Sequence, residues 1–239
     1  MNTFTYINGN LYCEGVDVAT IGEKFGTPSY IYSKKTIEDN AKSYVDSFTN
    51  SSNLACFAVK SLSNLSILKI IKDTGCGFDI VSGGELYRAI SIGADPKKII
   101  FSGVGKTTNE IELGIKSGIL SFNVESESEL FRIEKVANNI GYQAPVSIRI
   151  NPDIDSGGHD YITTGRKGDK FGVSDSNKVI DLCKYAHQSN GLTMVGLACH
   201  IGSQILDLDG YIESADKIFE LADNLRSSNI KLDFLDLGG

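Results

Sequence analysis

The sequence has 239 residues, of which 41% are hydrophobic and 22% charged, as in folded globular proteins rather than disordered chains. Its formal net charge of -7 disfavours nucleic acid or an anionic membrane surface as the main partner. No apolar run approaches the roughly 20 residues that cross a bilayer, and the first ten residues lack the basic and apolar regions of a secretory signal, so we expect a cytoplasmic protein. Five cysteines without a C-x-x-C pair favour reduced thiols over disulfides or a zinc site.

The amino-terminal residues predict a small hairpin followed by two helices. The Asn8-Gly9 pair lies between two short apolar runs and is a strong signal for a tight hairpin turn. Asp17 is the expected N-cap of a short helix that ends at Gly26. Ser33 is then the expected N-cap of a longer amphipathic helix.

Beyond residue 53, short apolar runs alternate with amphipathic helical patterns. The runs are rich in Val, Ile and Phe, and we interpret them as strands of a parallel sheet that is apolar on both faces. Seven such strands are predicted, at 54–59, 78–81, 99–101, 121–124, 146–150, 194–199 and 234–237.

Seven βα units fit either an open doubly wound sheet or a (β/α)8 TIM barrel that lacks its last strand. The open sheet normally carries a glycine fingerprint after its first strand, whereas Lys60-Ser61-Leu62 follows that strand here. The sequence therefore favours a barrel over residues 33–239, truncated after the seventh strand, with residues 1–32 as a separate amino-terminal part. Because the chain stops at Gly239, directly after a predicted strand, we expect a fragment of a longer protein.

The active site of such a barrel lies at the carboxyl ends of its strands. The polar residues at or near these ends are Lys60, Asp79, Ser102, Glu125, Arg149 and His200. Lys60 fits either a strand-end lysine that extends into solvent or an amine that forms a Schiff base. His200 fits a hydrogen-bonded loop histidine, a ring stacked on a planar cofactor, or an acid–base group.

Two other segments invite a functional reading. Gly105-Lys106-Thr107 mimics the end of a P-loop, but a P-loop requires glycine five residues before Gly105, where Ile100 stands. We therefore interpret this segment as a strand-to-helix turn. No H-E-x-x-H motif is present, and we predict no metal site. Segment 151–170 is long for a simple connection, and loops of that length are usually functional or disordered.

Four motifs together resemble those of the diaminopimelate decarboxylases, in the same order along the chain. They are Phe57-Ala58-Val59-Lys60, Gly77-Phe78-Asp79-Ile80-Val81-Ser82-Gly83-Gly84-Glu85-Leu86, His159 to Gly165 with Lys170-Phe171-Gly172, and His200-Ile201-Gly202-Ser203-Gln204. That family belongs to fold type III of the pyridoxal-phosphate enzymes, which share the barrel of alanine racemase. The resemblance implies decarboxylation of meso-2,6-diaminopimelate to L-lysine, with pyridoxal 5′-phosphate as the cofactor.

The resemblance also implies roles for individual residues. Lys60 matches the family lysine that holds the cofactor, and His200 matches the histidine that stacks on the cofactor ring. The positions that match phosphate contacts are Ser203, Gly238 and Gly239. The polar positions around Lys60 and the cofactor are Asp79, Arg149 and, less closely, Glu125.

The family pattern implies features beyond these residues. Members are homodimers, and the part that resembles residues 1–32 packs with a carboxyl-terminal β-domain. Further along the sequence, family members have a glutamate that faces the pyridine nitrogen and residues that are contributed across the dimer interface. We therefore expect the 239 residues alone to be inactive. The alternatives are a sister decarboxylase of ornithine, arginine or carboxynorspermidine type, a non-catalytic barrel homologue, and a nucleotide-binding protein that uses 103–107.

Overall fold

The computed structural model describes residues 3–47, 52–154, 171–203, 205 and 208–238. Over these ranges the strands form two sheets, one of three strands near the amino terminus and one of seven strands. In the same ranges, no helix combines the length and the apolar character needed to cross a membrane.

The amino-terminal sheet is a small antiparallel meander. Strands β1 (Phe4–Ile7) and β2 (Asn10–Cys13) pair around Asn8 and Gly9, whose φ angles of 51° and 83° suit a type I′ turn. The short strand β3 (Val16–Asp17), which the sequence did not predict, pairs with β2. Asp17 caps helix α1 (Val18–Phe25) by accepting a hydrogen bond from the backbone N–H of Ala19. The predicted hairpin and helix start are confirmed.

The second sheet contains seven parallel strands, each hydrogen-bonded to the next one in chain order. They coincide, within two residues at each end, with the seven predicted apolar runs. They are β4 (Cys56–Ala58), β5 (Gly77–Ile80), β6 (Ile99–Phe101), β7 (Ser121–Val124), β8 (Ala144–Ile150), β9 (Leu192–Cys199) and β10 (Phe234–Asp236).

The helices that alternate with these strands cover one face of the sheet and bury the main hydrophobic core against it. Phe78, Phe101 and Phe122 are among the largest fully buried side chains of this core. Most of these helices begin at a side-chain cap, as Ser33 illustrates by accepting a hydrogen bond from the backbone N–H of Thr36. The helices are α2 (Lys34–Val45), α3 (Leu65–Asp73), α4 (Gly83–Ser91), α5 (Thr108–Ser117), α6 (Glu127–Ile140), α7 (Ser176–Gln188) and α8 (Asp209–Ser227).

The seven-stranded sheet is strongly curled. In a flat sheet, β7 and β10 would lie roughly 14 Å apart, because three strand spacings separate them. Nδ2 of Asn123 on β7 nevertheless donates a hydrogen bond of 2.9 Å to Oδ2 of Asp236 on β10. The sheet therefore bends toward the face that carries both side chains, which confirms the predicted truncated barrel. Within the described residues, β4 and β10 are its two edges.

The concave face of this sheet carries several polar side chains, so the prediction of strands that are apolar on both faces was wrong. The pairing register places Asp79, Ile100, Asn123, Ser147 and Asp236 on the concave side, whereas large apolar residues such as Phe78, Phe101 and Phe122 face the helices. Asn123 hydrogen-bonds to Ser102 just after β6, to Ser147 on β8 and to Asp236 on β10, so these polar groups regain partners after losing water.

Candidate active site

The structure brings four of the predicted site residues together at the carboxyl end of the concave face. Lys60 follows β4, Asp79 lies on β5, Arg149 lies on β8, and His200 follows β9. Parallel strands bring their carboxyl ends to one edge of the sheet, and the charges of Lys60 and Arg149 accordingly contribute to the pKa shifts of both Asp79 and His200. One amine, one carboxyl group, one guanidinium group and one imidazole therefore share a single mouth.

Lys60 lies in a tight turn where β4 ends. Residues Val59–Ser61 form one 3-10 turn, in which Val59 is fully buried in the core and Lys60 is exposed. Oγ of Ser61 stabilises the turn by donating a hydrogen bond of 2.7 Å to the carbonyl oxygen of Ala58. The Lys60 amine is thus open to a ligand that arrives from solvent.

The carboxyl group of Asp79 is buried on β5 and incompletely hydrogen-bonded. Its Oδ1 is the one buried side-chain nitrogen or oxygen atom without a hydrogen-bond partner in the described ranges. Burial raises the pKa of Asp79 to about 6, and the Asp236 carboxylate adds to the rise, while Ser102, Lys60 and Arg149 oppose it. A buried acceptor without a partner is a position where a ligand group gains a hydrogen bond.

Replacing Asp79 with asparagine is expected to stabilise the folded protein at alkaline pH and not in acid. The wild-type carboxyl group has its pKa raised from 3.8 to about 6, so the folded state loses stability as pH rises through that window. Asparagine has no charge to bury. The variant's gain in free energy of unfolding over wild type should therefore approach about 3 kcal/mol above pH 7 and vanish below about pH 4.

Urea unfolding of the cofactor-free protein between about pH 4 and pH 8 measures this difference. The matched control is Asp181→Asn, which makes the same change at an exposed position on α7. If the stability gained by Asp79→Asn does not depend on pH, the pKa of the Asp79 carboxyl group is not raised by its burial.

His200 lies in the loop directly after β9 and is half-buried. Burial lowers the pKa of His200 to about 4, and the positive charges of Arg149 and Lys60 add to the lowering. The imidazole is therefore uncharged at neutral pH. An uncharged flat ring in a site that already holds two cations is suited to packing on a planar ligand.

Glu125 and Arg149 form a buried ion pair at the same mouth. Nη1 of Arg149 donates a hydrogen bond of 2.7 Å to Oε1 of Glu125, and the two side chains are 9% and 3% exposed. Glu125 also accepts hydrogen bonds from the backbone N–H groups of Gly103 (3.2 Å) and Gly172 (3.1 Å). The Arg149 guanidinium lies 5.1 Å from the ring centre of Phe171. The pair thus fastens segment 171–172 to the mouth, a contact that the sequence did not predict.

The glycine turn after β10 packs against the loop after β9. Gly238 has a φ of +72°, and a Cβ atom there would lie 2.5 Å from the carbonyl oxygen of Cys199 and 2.9 Å from Cα of His200. Only glycine therefore fits this position. Ser203 is half-buried in the loop after β9. Gly239, Gln204 and segment 155–170, which carries most of the predicted motif that starts at His159, lie outside the described residues.

Lys106, in the segment that mimics a P-loop, is fully buried. Its Nζ donates hydrogen bonds to the carbonyl oxygens of Gly103 (2.6 Å) and Asn123 (2.8 Å) and to Oε1 of Glu129 (3.0 Å). An ammonium group has three N–H donors, so none is left for a phosphate. The nucleotide-binding alternative was wrong, and the interpretation as a strand-to-helix turn is confirmed, because Thr107 caps α5.

Comparison with known proteins agrees with this geometry. The chain is 43% identical over 239 residues to the diaminopimelate decarboxylase of Pseudomonas aeruginosa. The aligned region covers 100% of this chain and 57% of that protein. It is 46% identical over 229 residues to the Neisseria meningitidis diaminopimelate decarboxylase, covering 96% and 55%. The crystal structure of the Helicobacter pylori diaminopimelate decarboxylase complexed with L-lysine superposes with a TM-score of 0.87 at 41% identity, covering 92% of this chain and 56% of that one.

The match to a defined family is equally broad. Residues 34–239 match the family described as "Pyridoxal-dependent decarboxylase, pyridoxal binding domain". The matched range contains the whole curled sheet and the four residues that converge at its mouth. This chain, which spans little more than half the length of the relatives it matches, therefore belongs to the pyridoxal-dependent decarboxylase family.

Proposed function

We propose that this chain forms the cofactor-binding barrel of an enzyme that decarboxylates meso-2,6-diaminopimelate to L-lysine. The observation that carries the proposal is the convergence of Lys60, Asp79, Arg149 and His200 at the carboxyl end of a curled parallel sheet. Relatives at 43% and 46% identity bear the name diaminopimelate decarboxylase. Because this chain covers 57% and 55% of those relatives, the activity is proposed for a complete protein of their length.

The residues of the concave face fit pyridoxal 5′-phosphate. Lys60 presents an exposed amine for the cofactor aldehyde, and Oδ1 of Asp79 is a buried acceptor that still lacks a partner. The uncharged ring of His200 would cover one face of the pyridine ring. The positions that would contact the phosphate group are Ser203, Gly238 and Gly239.

The side chains at the mouth have different roles, which follow from their charge and position. Pyridoxal phosphate, when bound, supplies an electron sink for the electron pair that a departing carboxylate leaves behind. His200 excludes water from one side of the ring without adding a charge. With its pKa raised to about 6, Asp79 can hold or release a proton at the mouth that also contains Lys60. Arg149, oriented by Glu125, presents a guanidinium group at the mouth as a further hydrogen-bond donor.

Two alternatives stay open. A sister decarboxylase of another basic amino acid would use the same four residues, because they serve the cofactor rather than the substrate side chain. A non-catalytic homologue would keep the barrel without the chemistry, but the retention of both Lys60 and His200 at one mouth favours an enzyme. Substrate preference distinguishes the proposed enzyme from a sister decarboxylase. Attachment of the cofactor distinguishes it from a non-catalytic homologue.

We further propose that residues 1–32 pack against a carboxyl-terminal β-domain and that the complete protein is a cytoplasmic homodimer. The amino-terminal part exposes large aromatic side chains, with Tyr6 76%, Phe25 71% and Tyr30 92% accessible. Exposed apolar surface of this kind is typical of a contact with another domain or subunit.

The experiment that tests the proposed function is carbon dioxide release by the product of the complete reading frame, supplied with pyridoxal phosphate. We expect kcat/KM for meso-diaminopimelate to exceed that for L-ornithine and L-arginine by at least about 100-fold. Preference for ornithine or arginine would establish the sister decarboxylase instead. No release from any of the three, with cofactor bound, would contradict the proposed substrate class.

A further inference from the structure

A layer of buried polar side chains crosses the concave face below the mouth. Ser102 directly follows β6, Asn123 lies on β7 and Ser147 lies on β8, and these residues are 9%, 4% and 0% exposed. The interior of a (β/α)8 barrel is normally filled by branched apolar side chains. The buried amide of Asn123 is therefore unusual for a barrel interior and needs hydrogen-bond partners there.

The Asn123 side chain connects Ser102 and Ser147 to Asp236 on β10. Its Oδ1 accepts a hydrogen bond of 2.8 Å from Oγ of Ser147. Its Nδ2 donates to Oγ of Ser102 at 3.2 Å and to Oδ2 of Asp236 at 2.9 Å. The amide thus uses both donors and its acceptor, so its orientation is fixed from three sides.

Asp236 carries the connection on to the glycine turn. Its Oδ2 receives the Asn123 amide, and its Oδ1 accepts a hydrogen bond of 2.9 Å from the backbone N–H of Gly238. This side chain must therefore accept two hydrogen bonds at once, one on each oxygen. A carboxylate can do so, whereas an amide of the same shape offers only one acceptor and turns a donor toward the other partner.

The turn that Asp236 holds is packed tightly against the loop that contains His200. Gly238 has no room for a Cβ atom, because the carbonyl oxygen of Cys199 and Cα of His200 occupy that space. A shift of the turn would therefore displace the backbone beside the proposed cofactor site. Asn123 and Asp236 thus connect the barrel interior to the turn at Gly238.

We propose that Asn123 and Asp236 are positioning residues that hold the glycine turn after β10 in the conformation that receives a ligand phosphate group. The inference rests on the proposed function, since it takes the phosphate of pyridoxal phosphate as the ligand. Neither residue needs to touch the cofactor. They act through the backbone of the turn at Gly238, which is proposed to lie against the phosphate.

The test compares two probes, pyridoxal phosphate and pyridoxal, which lacks the phosphate group. Dissociation constants for both are measured by absorbance titration on the complete protein and on its Asp236→Asn variant. We expect the variant to bind pyridoxal phosphate about tenfold more weakly, the effect of losing one hydrogen bond to a charged group. Its affinity for pyridoxal should change by less than about twofold. Asp233→Asn, an exposed position just before β10, should change neither constant.

The ratio of the two affinity losses separates positioning from general damage. Asn123→Ala breaks the same connection from its other end and should give the same phosphate-dependent loss, which keeps the test open if either variant folds poorly. An equal loss for both probes, or no loss for either, in a variant with an intact melting transition would overturn the inference. Failure of the wild-type protein to attach either probe would instead contradict the proposed function.

Discussion

Replacing Lys60 with alanine is expected to prevent covalent attachment of pyridoxal phosphate and to lower decarboxylation by about 10³-fold or more, because no other group replaces the amine that holds the cofactor. The structure provides the reason in the surroundings of that amine. Lys60 is exposed at the end of β4, while its charge acts on Asp79 and His200. Absorbance of the cofactor-loaded protein and carbon dioxide release measure the two effects.

The control for this substitution is Lys69→Ala, which removes an exposed lysine from the neighbouring helix α3. It should leave both cofactor absorbance and turnover unchanged. Lys106 cannot substitute for Lys60, because its three N–H donors are already bound by Gly103, Asn123 and Glu129. Persistence of the cofactor absorbance in Lys60→Ala would contradict the assignment.

Replacing Lys106 with alanine is expected to destabilise the folded protein by about 3–5 kcal/mol. The Lys106 and Glu129 side chains are 0% and 5% exposed, and their charges are 3.0 Å apart. The substitution leaves the Glu129 carboxylate buried without its counter-ion and removes the donor to two backbone carbonyl oxygens. Loss of one partner from a buried pair costs more than the pair itself contributes, because the remaining charge has no water.

Urea unfolding of the complete protein measures this loss, and an exposed ion pair provides the control. Lys116 and Glu112 form an i,i+4 pair on α5 with side chains 54% and 38% exposed, so Lys116→Ala should destabilise the protein far less than Lys106→Ala. The double substitution Lys106→Met with Glu129→Leu should recover much of the loss, because no charge is left buried. Equal costs for the two alanine variants would show that the Lys106 ion pair is solvated.

Much of the fold could be predicted because local chemistry specifies it. Asp17 and Ser33 cap the helices at which the sequence predicts a start, and Asn8-Gly9 forms the predicted turn. The seven strands also coincide with apolar runs that contrast with the polar segments around them. These signals lie within a few residues of the structure they determine, so a single sequence contains them.

The arrangement of the concave face could not be predicted in the same way. Asn123 and Asp236 lie 113 residues apart, and their contact depends on how far the sheet curls. The same holds for Glu125 and Gly172, which are 47 residues apart. Short strands such as β6 and β7 offer too few residues for alternation to reveal which side chains face inward. The convergence of Lys60 and His200 was accessible because parallel strands bring their carboxyl ends to one edge.

The central claim is that Lys60 is the amine that holds the cofactor, and peptide mapping tests it most directly. The complete protein is loaded with pyridoxal phosphate, reduced with borohydride, digested and analysed by mass spectrometry. We predict that the reduced cofactor is found on the peptide that contains Lys60. Its recovery on a peptide with a different lysine, or on no peptide at all after saturation, would contradict the account.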